Sequence, residues 1–321
     1  MHHRPTRRMR APGTPARAVV VAIAAALAGV LSQSFGVVQA AAPAAGDGQS
    51  SQPAQAQSAE TKAAPSKPAA GDKVDAELDR YRTMLDARDP FANPGYLFVD
   101  RGQEAWNQPL GPKAVALATV CDLGLGVGRV DGAYARLPRY FADADRVLDL
   151  EGRLLWCMTA RQGRDRSEIL KTKFSTPEKT SELEDLTAFV ASLSNGKPLA
   201  APLVHPREKA ARALGEALFY RRQGPMDFAC ATCHGEPGHR IRLQTLPSFD
   251  DARQAQEVMG SWPAYRVSQN TLRTMQHRLY DCFWQMRLPA VDYASDVTIA
   301  LTSYLAAKGA RGIVTAPGIK R

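Results

Sequence analysis

The stretch Cys230-Ala231-Thr232-Cys233-His234 concentrates more reactive chemistry than any other in the sequence. Cys-x-x-Cys-His is the pattern that attaches a c-type haem. The two thiols add to the haem vinyl groups, and the adjacent histidine becomes the proximal iron ligand. One helical turn separates the thiols, which suits the distance between the vinyls. A Cys-x-x-Cys alone also fits a redox dithiol or half of a zinc site. The adjoining histidine and an export-type leader both favour haem.

A second ligand is then needed on the far side of the iron. Met259, Met275 and Met286 all follow His234 at usable distances, and a class I cytochrome usually takes a methionine. Cys282 competes as a much stronger donor that would lower the potential of the iron. Arg278 precedes it by one helical turn, so both share a face. A guanidinium there would stabilise a thiolate and could hold an oxyanion. The plainer readings are an inert buried thiol and a solvated surface charge. His277 and Arg287 could add positive potential if their side chains turn toward the same place. Of the five cysteines, two go to haem, and Cys121 and Cys157 can pair as a disulfide in an oxidising compartment. In the chain-entropy account that bridge is worth about 4 kcal/mol. Cys282 is left over.

The elements that must position these groups read as helices. From Lys73, Val74, Leu78, Tyr81 and Leu85 recur at helical steps. Further helical pieces run from Gly102 to Trp106, from Leu148 to Met158, and around Leu186, closed by Asn195-Gly196. Pro198, Pro202 and Pro206 suggest a linker. Ala210 to Tyr220 leads to the haem motif, Leu272 to Arg287 carries Cys282, and Ala294 to Ala307 forms a last helix. Almost nothing reads as strand. The expected class is all-α, built as two tandem class I cytochrome c-like domains. The first, 73–197, lacks a haem motif, and the second, 198–321, holds one covalent haem. An internal repeat supports the pairing. Gly102-x-x-x-Trp106 echoes Gly215-x-x-x-Phe219, and Arg153-x-x-x-Cys157 echoes Arg278-x-x-x-Cys282. Asp185-Leu-Thr and Asp296-Val-Thr are read as equivalent starts of the two terminal helices. Gly215 is the candidate for the close crossing of first and last helices.

Residues 1–40 read as a secretory leader. Arg4, Arg7, Arg8, Arg10 and Arg17 precede an apolar run, and Val38-Gln39-Ala40 offers a cleavage site. Arg7-Arg8 hints at twin-arginine export. The run is short for a spanning helix, so no membrane span is expected after cleavage. Residues 41–72, rich in Ala, Pro, Gln and Ser, read as a flexible tether. The leader carries those five arginines and no acid, so the formal charge of +9 falls to +4 without it. Mild basicity suits an anionic small molecule or an acidic partner and is no nucleic-acid signature.

From about Lys73 onward the chain resembles the SoxA family, the c-type cytochrome subunits of the bacterial thiosulfate-oxidising Sox system. The resemblance rests on Cys230-x-x-Cys233-His234, on Arg278-Leu-Tyr-Asp-Cys282-Phe-Trp-Gln-Met-Arg287, and on the paired cytochrome-like modules. With one haem motif the chain is similar to the single-haem branch. The resemblance implies a periplasmic L-cysteine S-thiosulfotransferase that oxidatively joins thiosulfate to a cysteine thiol of the SoxYZ carrier. Two electrons pass to c-type haem. It implies Cys282, as a persulfide, for the distal iron ligand and Arg278 for substrate binding. It also implies a small cytochrome, SoxX, as heterodimer partner. The alternative is a plain electron-transfer cytochrome with His/Met ligation.

Overall fold

The computed structural model describes residues 92–241 and 244–320. The leader 1–40, the tether 41–72 and the helical start at Lys73 lie outside the described residues. The first half contains α1 (Tyr96–Asn107), the single turn α2 (Leu117–Val120), and a hairpin of β1 (Arg139–Phe141) and β2 (Arg146–Leu148). It continues with α3 (Leu150–Trp156), α4 (Arg166–Leu170) and α5 (Glu182–Ser192). The second half contains α6 (Pro206–Tyr220), α7 (Cys230–His234), the short pair β3 (Arg240–Ile241) and β4 (Gln244–Thr245), and α8 (Ala252–Gly260). Then come β5 (Ala264–Arg266), β6 (Thr271–Arg273), α9 (Met275–Gln285), α10 (Asp296–Lys308) and β7 (Gly318–Lys320).

Each half is built on one helix crossing. On α1, Phe98, Val99, Gly102 and Trp106 form a buried stripe at helical spacing. Ser181 caps α5, and Glu182, Glu184 and Asp185 sit in its first turn, where the helix dipole favours acids. The two helices meet at Gly102, where a Cβ would lie 2.0 Å from the Asp185 carbonyl oxygen. In the second half a capping box of His205 and Glu208 starts α6, with Pro206 in its first turn. It meets α10 at Gly215, where a Cβ would lie 1.9 Å from the Ala300 carbonyl oxygen. Only a glycine lets either pair approach so closely. The aromatic residue one turn on then packs across: Trp106 on Phe189 and Phe219 on Tyr304.

The repeat extends well beyond these helices. A bridge Leu110–Val115 precedes α2, as Gln223–Phe228 precedes α7. A cis Leu137–Pro138 bond opens the β1–β2 hairpin, as cis Trp262–Pro263 opens β5–β6. Arg139 pairs with Leu148 in the first hairpin and Ala264 with Arg273 in the second. Asp149 then caps α3, and Thr274 caps α9. Matching the halves sets Leu117-Ala-Thr-Val-Cys121 against Cys230-Ala-Thr-Cys-His234, and Cys157 against Cys282. Cys121 thus stands at the histidine position. Cys121 and Cys157 are fully buried and joined as a disulfide, with Cα atoms 5.5 Å apart. A wide helical turn, Cys157–Arg161, follows α3 and brings Cys157 to the bridge.

Two expectations need correction. Short strands exist: those of the β1–β2 and β5–β6 hairpins are three residues long and β3 and β4 two, too short for alternation to be readable in sequence. The chain end also returns as β7, parallel to β5. The terminal helices match one turn later than the Asp185/Asp296 alignment, because the crossing glycines face Asp185 and Ala300.

The proline-marked segment is tied down rather than loose. Leu199 N–H donates to Gly312 O, Arg311 N–H donates to Leu199 O, and Ala200 N–H donates to Ala135 O. The two hydrophobic cores also interleave. Tyr265, Leu272 and Tyr293 of the second half join the first core, while Ala135 and Ala191 of the first half join the second.

Candidate functional site

Cys230 and Cys233 lie one turn apart on α7, both half-buried and unpaired. Thr232 Oγ accepts from Ala229 N–H at 2.9 Å, which holds the turn closed at its start. His234 Nδ1 lies 2.8 Å from the Pro247 carbonyl oxygen. That carbonyl can only accept, so Nδ1 carries the proton and Nε2 is left as the donor for a metal. Phe249 N–H donates to His234 O, and the Phe249 ring stands edge-on to the imidazole. Burial pushes the imidazole below its ordinary pKa; the Pro247 bond opposes this, and Arg278 adds to it. A neutral, oriented imidazole beside two free thiols fits the donor set of a c-type haem.

Cys282 is half-buried on α9 and carries no disulfide. Its charge is felt at Cys230, and that of Cys233 is felt at Cys282, so the three thiols face one region. Burial raises the Cys282 thiol, while Arg278 and Arg266 draw it down. Arg278 is half-buried, and among the described residues nothing hydrogen-bonds or ion-pairs with its guanidinium. Its counterpart Arg153 is the opposite case. Arg153 is 1% exposed, makes two bonds to Asp143 and one to Asp122 O, and lies against Phe141 and Trp156. At the same place in the repeat, one arginine is saturated by its own chain and the other is available to an outside anion.

The remaining candidates separate cleanly. Met259 and Met275 line a cavity with Leu137, Pro138 and Thr187 of the first half. His277 turns away from Cys282 into the seam, 3% exposed, stacked on Phe174 and facing Glu184. Arg287 is exposed over Trp284. Met286 caps the end of α9, its N–H donating to Cys282 O.

The sequence reading missed Arg266 on β5. Its Nε is buried without a partner among the described residues, and its charge reaches both Arg278 and Cys282. It also missed Arg273, which bonds Gln269 and faces Asp281. The matching Pro138-x-Tyr140 and Pro263-x-Tyr265, spaced like the two cysteines, were the available signal for the hairpin carrying both.

Three comparisons with known proteins bear on this site. The sequence profile of the SoxA/TsdA cytochrome c domain matches residues 101–199, the half without Cys-x-x-Cys-His. An L-cysteine S-thiosulfotransferase subunit SoxA from Hydrogenophilus thermoluteolus is 45% identical over 249 residues, covering 77% of this chain and 90% of the relative. One from Hydrogenobacter thermophilus is 34% identical over 226 residues, covering 70% and 83%. Among solved structures, SoxXA from P. pantotrophus superposes with a TM-score of 0.62 at 24% identity, over 76% of this chain and 84% of that one. This last likeness speaks for the fold.

Proposed function

The chain belongs to the SoxA family, and from that premise we propose that it is the thiosulfate-conjugating subunit of a periplasmic cytochrome complex. The first half, 73–197, is a cytochrome c-like domain in which the Cys121–Cys157 bridge replaces haem. The second, 198–321, would hold one haem c through the thiols of Cys230 and Cys233, with His234 offering its imidazole nitrogen to the iron. Cys282, as a persulfide, would supply sulfur to the haem iron, and Arg278 binds the sulfonate end of thiosulfate. The observation that carries this reading is the contrast between saturated Arg153 and unpaired Arg278, one turn from Cys282.

The reaction joins the sulfane sulfur of thiosulfate to a carrier cysteine. A sulfur–sulfur bond forms, the thiol proton leaves, and two electrons depart. Haem iron, when bound, would supply the electron outlet. Arg278 offers a planar fork that matches two sulfonate oxygens. Cys282 presents a soft sulfur suited to exchange through sulfur–sulfur intermediates. His234, fixed by Pro247, holds the imidazole in one tautomer. The acceptor is a SoxYZ-like carrier, and the electrons continue to a small SoxX-like cytochrome held as a heterodimer. Among the described residues no helix is long and apolar enough to cross a membrane.

Cys282→Ala tests the reading. The variant is expected to keep covalent haem, change the ferric visible spectrum, and lose carrier-linked thiosulfate oxidation. A native spectrum together with retained activity would return the chain to the electron-carrier class.

A further inference from the structure

The helix that carries Arg278 and Cys282 begins inside a buried polar cluster supplied by the other half. Glu151, on α3, accepts from Thr274 Oγ at 2.6 Å, from Gln276 N–H at 3.0 Å and from Tyr293 Oη at 2.8 Å. Asp149 accepts from the Gln276 side-chain amide at 2.6 Å. Glu184, on α5, accepts from Ser175 N–H at 2.7 Å and lies 2.5 Å from His277 Nδ1. Glu151 and Glu184 are 3% and 0% exposed, and Thr274, Gln276 and His277 are equally buried. Carboxyl groups this deep are retained only where every bond is made.

The geometry points to a positioning role: Glu151 and Glu184 set the placement of Arg278 and Cys282 by holding the first turn of α9 from the opposite half. The inference rests on the proposed site, since it concerns where those two residues stand. Three of the four consecutive residues Thr274 to His277 are held from across the seam, through four contacts, and Arg278 follows at once. The backbone N–H of Gln276 is one of the donors that a helix start leaves without an internal partner, and Glu151 takes it. A helix held at its first turn moves as a rod, so a small tilt there displaces Cys282 two turns on. Reaction rates fall steeply with such displacement. The arrangement also lets the half without a haem motif act on the reaction through the placement of α9. Asp185, Arg273, Asp281 and Tyr134 are the other ionisable groups whose charges reach the cluster.

The test uses the full chain with haem attached, together with its partner cytochrome. Glu184→Ala and Glu151→Ala are expected to retain covalent haem, shift the ferric spectrum, and lower kcat by about tenfold. Glu184→Gln and Glu151→Gln, which preserve the shape and most of the bonds, are expected to restore both within about twofold. Val190→Ala, which removes buried methyl groups from α5 without touching these bonds, should lower stability and leave the spectrum native. Thr274→Val removes the grip from the α9 side and carries the same expectation as the alanine variants, should either of those fail to accumulate. Native spectra and kcat within twofold in the alanine variants, or in Thr274→Val where they do not accumulate, overturn the positioning role. Cys282→Ala separates the two ideas: a spectral change there with none in the clamp variants rejects the clamp alone. A native spectrum in Cys282→Ala rejects the site assignment beneath it.

Discussion

Arg278 and Arg153 show how much one residue's surroundings decide. Both stand four residues before a cysteine and face the same side of equivalent helices, yet only Arg153 has Asp143 to neutralise it. Arg278→Ala is therefore expected to leave the haem spectrum native and weaken thiosulfate turnover by a charge-assisted contact, about 1.5–3 kcal/mol. Arg278→Lys should recover part of this, because an ammonium lacks the planar fork. Steady-state kinetics with thiosulfate and carrier check both. At this scale the sequence was legible where spacing alone carries meaning: the one-turn spacing of Cys230 and Cys233, the Arg278–Cys282 turn and the pairing of Cys121 with Cys157. It was silent on Arg266, whose meaning comes from a partnerless Nε next to two groups distant in sequence.

Among the elements, the α1/α5 and α6/α10 crossings were readable because a glycine and an aromatic residue recur one turn apart in each half. The hairpins were not, because three-residue strands leave no period to detect. The correspondence of Cys121 with His234 needed the flanking bridges to fix the register. The Cys121–Cys157 bridge spans 36 residues of sequence, so replacing either cysteine by serine should cost about 4 kcal/mol in the chain-entropy account. Urea unfolding of Cys157→Ser against the parent measures it. A loss well below 1 kcal/mol would mean that the surrounding core, rather than the bridge, holds this half together.

For the molecule as a whole, the decisive feature is the buried acid cluster in the seam. No sequence rule marks Glu151 or Glu184 as special, since each reads as an ordinary charge near a helix start. Their burial follows from how the halves close on each other. Burial pushes both carboxyl groups up to about 8, with Asp149 adding to the effect at Glu151. Burial pushes His277 down to about 3. The folded chain thus keeps two protons that the unfolded chain releases near pH ~4.5, and stability falls as pH rises from there toward 8. His277 acts in the other direction up to pH ~6.5, because below that only the unfolded chain binds its proton. Between ~6.5 and 8 the acids act unopposed by His277. Urea midpoints are expected to fall across that interval, and to fall less in Glu184→Gln; an equal slope in the variant would refute the assignment.

The disulfide that closes the first half, which carries no haem motif, has an arithmetic consequence. A lone iron stores one electron, whereas every carrier thiol joined to thiosulfate releases two. On the proposed reading the chain cannot bank a full turnover by itself. On that reading it would work as a valve, passing the first electron to a neighbouring cytochrome before the second is released.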